Sequence, residues 1–91
     1  MASVIKVSVR PREHIARGKV RNCWMCPVAF AMRDAGLWGV EVGPYYLNFV
    51  YGGAAKYTVP TPRKVARWIA AFDKTGKGKP FEFQIRLGRG A

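Results

Sequence analysis

Two cysteines two residues apart, Cys23-Trp24-Met25-Cys26, form the one spacing in this chain with an immediate chemical meaning. Pro27 follows at once, and proline suits the first position of a helix. A thiol placed there would sit where a helix N-terminus stabilises a thiolate, which lowers the pKa and permits dithiol redox chemistry. Against redox, Lys19 to Asn22 does not read as a buried strand, and the elements downstream depart from a thioredoxin-like βαβ order. The same pair is half of the four-ligand set of a structural zinc site. With two Cys and one His, His14, a single copy supplies at most three soft ligands. Glu13, Asp34 or a second copy in a homodimer would have to complete the shell. The plainest reading has no cofactor: both thiols pack as small apolar side chains beneath the helix, and a lone disulfide is not expected in a reducing cytoplasm.

Other catalytic constellations are poorly supplied. His14 is the one imidazole, and in a basic loop it reads as a surface or helix-start residue more than as a general base. No Ser/His/Asp set can be built around it without guessing the carboxylate. The five acids are scattered, with no local pair at acid/base spacing. Thr75-Gly76-Lys77-Gly78-Lys79 lacks P-loop spacing and leads into a strand instead of a helix. An enzyme is therefore not expected.

Charge points elsewhere. The chain carries 16 Lys and Arg against 5 Asp and Glu, a net of +11 on 91 residues. Such self-repulsion contributes nothing to a fold and indicates a polyanionic partner. Arg10, Arg12, Arg17, Lys19 and Arg21 face one acid, Glu13, between residues 10 and 21. Nine more cations lie between 56 and 91 against Asp73 and Glu82. The stretch from 22 to 55 holds only Arg33, Asp34 and Glu41. One apolar centre is thus flanked by two basic segments.

The elements that must position these groups follow from periodicity. Val4, Ile5, Val7 and Val9 read as a strand. Pro11 to Asn22 reads as a loop with one turn of helix at most, around Glu13 to Ala16. A helix from Pro27 to Gly36 carries the stripe Val28, Ala31, Met32, Ala35 and leaves Phe30, Leu37 and Trp38 off it. Three strands follow as a meander: Val40 to Val42, Tyr45 to Tyr51, and Ala55 to Val59, turned by Gly43-Pro44 and Gly52-Gly53. Tyr45, Leu47, Phe49 and Tyr51 share one strand face and are expected in the core; Tyr46, Asn48 and Val50 share the other. A second helix is expected with Thr61 as cap, Pro62 at its first position and Val65, Trp68, Ile69, Phe72 facing the core. Phe81, Phe83, Ile85 and Leu87 alternate in a last strand. The result is a single α+β domain over residues 1–91, order β-α-β-β-β-α-β, with about five mostly antiparallel strands, two helices and a flexible tail at 88–91. No secretory signal is visible, and the longest uncharged run, Val42 to Ala55, is too short to span a bilayer. A cytoplasmic location without membrane attachment is expected.

Glu13-His14-Ile15, Gly18, Cys23-x-x-Cys26-Pro27-Val28-Ala29-x-Ala31, Val65-x-x-Trp68-Ile69-x-x-Phe72-Asp73 and Pro80-Phe81-x-Phe83 together resemble small proteins of tailed phages and prophages. The resemblance covers most of the chain and implies expression inside a bacterial host cell. The group has no defined activity, so no site residue carries over from it.

Three functional expectations result. The first is nucleic-acid binding dominated by phosphate contacts with little base reading, through Arg63, Lys64, Arg67 and Lys74 on the second helix, Lys77 and Lys79 after it, and Arg10, Arg12, Arg17, Lys19 and Arg21. Tyr46 and Tyr57 are candidates for stacking on bases. The alternative is a host-takeover or assembly role, binding an acidic host or virion protein through Trp24, Phe30 and Trp38 with a basic rim. The third is a zinc or redox site at Cys23 and Cys26, with His14 as a further ligand.

Overall fold

The first and last strands of the chain lie side by side. In the computed structural model, which describes residues 3–53 and 55–87, β1 (Ser3–Val9) pairs antiparallel with β5 (Phe81–Leu87), from Ser3 opposite Leu87 to Val9 opposite Phe81. Alternation decides which side faces in. Ile5, Val7, Val9, Phe83, Ile85 and Leu87 are buried, while Lys6, Glu82, Gln84 and Arg86 face water.

The first helix, α1 (Pro27–Asp34), occupies the centre. Pro27, Val28, Ala29, Ala31 and Met32 are all buried, so this helix packs on more than one side. Cys26 takes the N-cap position, its Sγ accepting from the Ala29 N–H at 3.4 Å. Gly18 lies so close to the Pro27 ring that any side chain there would collide with it. The loop before α1 contains one π-helical turn, Pro11–Ile15.

Three further strands, β2 (Trp38–Val42), β3 (Tyr46–Val50) and β4 (Lys56–Pro60), form an antiparallel meander. The five strands thus divide into a pair and a triplet, with two α-helices in the expected order. Leu47 and Phe49 are buried as their alternation requires. Tyr45 is not in the core: the Gly43 N–H closes onto the Tyr46 carbonyl at 3.0 Å, which leaves Tyr45 in the turn and 78% exposed.

β2 carries a bulge. Trp38 lies opposite Val50 and Glu41 opposite Asn48, so Gly39 and Val40 together face Phe49. Gly39 has φ +58, the left-handed conformation that glycine adopts without strain.

The second helix, α2 (Arg63–Thr75), begins after Pro62 at the N-cap, and Thr61 does not cap it. The Thr61 hydroxyl instead donates to the Gly43 carbonyl at 2.7 Å, tying the start of α2 to the β2–β3 turn. Val65 and Phe72 are buried, and Trp68 and Ile69 pack partly against the core. The helix seats through a run of rings: Trp68 stacks on Phe72 at 5.3 Å and meets Phe81 at 5.0 Å, and Phe81 stacks on Phe83 at 5.9 Å. Gly76, at φ 72, ends it. No helix among the described residues is long and apolar enough to cross a membrane. The expected tail at 88–91 lies outside the described residues.

Candidate functional site

The two thiols differ in their access to solvent. Cys26 is 3% exposed, and burial pushes its thiol above the ordinary value of 9.0 although the Ala29 and Val28 N–H groups pull the other way. The lowered pKa expected at this helix N-terminus is therefore reversed for Cys26: desolvation of a thiolate costs more than the helix end returns. Cys23 is half-buried and its Sγ lies 4.0 Å from Glu41 Oε2. Both are free thiols. With an ordinary disulfide reagent at pH 8, native protein should release one thiol equivalent, from Cys23, and a second only on denaturation; equal rates for both would contradict this placement of Cys26. The protonated Cys26 contributes its full stability below 9.0, and that part is lost as pH rises above this value.

His14 is buried, 2% exposed, and not a surface residue. Its Nδ1 accepts the Arg10 N–H at 2.8 Å, so Nε2 carries the proton and donates to Asp34 Oδ2 at 2.7 Å. Both ring nitrogens are committed, one to the π-helical turn and one to the last residue of α1. The imidazole is a strut between these elements. Sequence places His14 and Asp34 together only as candidate zinc ligands; their direct hydrogen bond, across 20 residues, follows no local pattern. Among the described residues, no three His, Cys, Asp or Glu side chains converge.

The basic residues form a more coherent surface. Arg63, Arg67 and Lys74 fall within a narrow arc of α2 opposite the Val65–Phe72 side, and all three are exposed. At 1.5 Å per residue the row from Arg63 to Lys74 is about 16 Å long. Ala70 and Ala71 are exposed between them and add little bulk. Lys64, on the flank, rests its Nζ 5.9 Å above the Phe81 ring. The loop after α2 is pinned to the same helix, on its Trp68 side. The Trp68 indole N–H donates to the Lys79 carbonyl at 2.8 Å, and Gly78 lies against the same indole so closely that a side chain would not fit. Lys77 and Lys79 are thereby presented from a fixed support. The apolar stripe marks Trp68 as core, but its half-buried indole also holds the loop, a role that periodicity does not reveal.

Asp73, the one acid of α2, is turned aside. Its Oδ1 accepts the Arg21 N–H at 2.8 Å, and its carbonyl accepts from Arg21 Nη1 at 3.1 Å. Arg21 stands in the left-handed region at φ 51 and places its guanidinium at the negative end of the helix. Among the described residues no carboxylate lies within ion-pair distance of Arg63, Lys64, Arg67, Lys74, Lys77 or Lys79. The earlier basic segment is less uniform. Arg10 pairs with Glu13 at 3.6 Å, Arg17 lies over the Phe30 ring at 5.2 Å, and Arg12 and Lys19 are exposed.

The aromatic candidates separate by position. Tyr46 is 57% exposed on the outer side of β3. Tyr57 faces inward, stacked on Phe49 at 5.7 Å and packed against the core, and is not presented to bases. Phe30 is half-buried, with the Arg33 guanidinium 5.5 Å from its centroid in addition to the Arg17 contact. Arg33 also donates to the Trp24 carbonyl, which links the exposed Trp24 to this group. Trp38 belongs to the outer face of the meander. No protein-family model, curated protein or solved structure matches this chain.

Proposed function

We propose that this protein binds nucleic acid through phosphate contacts made by the outer face of α2 and by the loop that Trp68 pins to this helix, inside a bacterial host cell and without catalysis. The observation that carries the reading is the group of six exposed cations on one helix-and-loop unit, with the single acid of that helix engaged by Arg21. These cations have no carboxylate partner among the described residues, and each phosphate they contact releases condensed counterions. Phosphate contacts position a protein without reading bases, so weak sequence preference is expected. The buried Cys26 and the doubly bonded His14 support a binding role over a reactive one.

Fluorescence anisotropy on a labelled 20-base-pair duplex at 50 mM salt tests this. Arg67→Gln and Lys74→Gln should each weaken binding on the order of 10-fold. Lys6→Gln, which removes an exposed cation already paired with Glu82 at 3.7 Å, should change affinity much less. Equal effects from all three would reduce α2 to an ordinary solvated face. Absence of binding by the unaltered protein would transfer the charge to the other expectation, an acidic protein partner.

A further inference from the structure

We infer that the outer face of the β2–β3–β4 sheet is a second nucleic-acid surface, on which unpaired bases of a single strand stack against Trp38 and Tyr46. The inference rests on the reading that this protein binds nucleic acid, and it names the form of nucleic acid the sheet would take.

The bulge at Gly39 is the starting point. Simple alternation along β2 would put Trp38 on the same side as Val40 and Val42, which are 2% and 5% exposed. The extra residue moves Trp38 opposite Val50 and turns it outward, where it is 57% exposed. A bulge gives up regular pairing, and exposing a tryptophan forgoes one of the largest apolar burials a side chain can offer. Folding alone gains nothing from this arrangement, whereas a flat ring in water is what base stacking needs.

Tyr46 stands on the same face, also 57% exposed. It is four residues along β3 from Val50, the partner of Trp38, which at about 3.4 Å per residue separates the two rows by roughly 14 Å. A strand of a few nucleotides covers that distance. The floor between the rings is polar. Thr58 Oγ1 donates to Asn48 Oδ1 at 2.7 Å, and Asn48 Nδ2 donates to Glu41 Oε1 at 3.1 Å. These bonds orient the Asn48 amide and leave it one N–H and one lone pair for a base edge. A groove of about 400 Å³ runs along this row, lined by Glu41, Asn48, Thr58 and Lys56 and by neither Trp38 nor Tyr46, and Lys56 is the cation that would meet a phosphate there. A protein partner would want the apolar anchors gathered at the centre of its interface. Here the centre is hydrogen-bonding and the rings flank it, while the +11 charge of the chain attracts a polyanion. Duplex bases are already stacked and paired, so the surface selects single strands.

The test is affinity for a labelled 12-mer oligothymidylate beside the 20-base-pair duplex. Trp38→Ala and Tyr46→Ala should each lower oligothymidylate affinity roughly 5- to 140-fold, leaving duplex affinity and the melting temperature close to those of the unaltered protein. Tyr46→Phe keeps the ring and should bind normally; a loss equal to that of Tyr46→Ala would assign the effect to the hydroxyl and overturn stacking. Photocrosslinking of a 5-iodouracil oligonucleotide to the unaltered protein should mark the peptide spanning residues 38–50, whether or not the alanine variants fold. Crosslinks confined to α2, or unchanged single-strand affinity in both alanine variants with duplex binding intact, would overturn this surface and leave the α2 reading standing. Failure to bind either nucleic acid would overturn both.

Discussion

Phe72→Ala is expected to destabilise the fold by about 3 to 5 kcal/mol, the range for truncating a buried phenylalanine. Phe72 is 2% exposed and stacks nearly parallel to Trp68, which meets Phe81 and through it Phe83. Removing the ring takes away its own burial and leaves a void beneath Trp68, so the loss combines transfer and cavity contributions. For a domain of this size each kcal/mol moves the melting temperature by about 4 to 8 °C. A drop of roughly 12 to 40 °C in a thermal melt followed by circular dichroism is therefore expected, a large part of a typical domain stability of about 5 to 15 kcal/mol. Below 1 kcal/mol, the ring run would not be what seats α2. The same variant would release the loop that Trp68 pins, so the cations of the proposed surface depend on this packing.

Long-period patterns were legible in the sequence, and single-residue events were not. The Val65, Trp68, Ile69, Phe72 spacing identifies α2 because four apolar residues repeat on one helical face, and Phe83, Ile85 and Leu87 do the same for a strand. The exposed cations of α2 follow from that stripe, since what lies opposite a buried face is outside. Trp38 shows where this reasoning stops: one extra residue at Gly39 reverses the face of everything before it. Tyr57, a stacking candidate by sequence, pairs with Phe49 across the strands and so shares its inward face, a register that the strand's own residues do not reveal. His14 and Asp34, or Arg21 and Asp73, meet across loops whose path no local pattern records. Thr61 has the residue type of a cap, but the β2–β3 turn competes for its hydroxyl and wins.

The largest functional effect should come from salt. With about five phosphates neutralised by the six cations of the α2 unit, counterion release sets a log–log slope near −4.5 on duplex DNA. Raising salt from 50 to 200 mM then lowers affinity roughly 500-fold. Hydrophobic or shape-driven binding would barely respond over this range, so the magnitude itself separates the mechanisms.

The most direct test of the central claim is that slope in the unaltered protein and in the combined Arg63→Gln, Arg67→Gln, Lys74→Gln variant. All three residues are exposed and lie opposite the packed side of α2, so the variant should keep its melting temperature. The account predicts a slope shallower by about 2.7, three phosphates at about 0.9 each, and therefore a fall of only roughly 12-fold over the same salt range. An unchanged slope in the folded variant would contradict it, because the phosphates would then be held elsewhere than on α2.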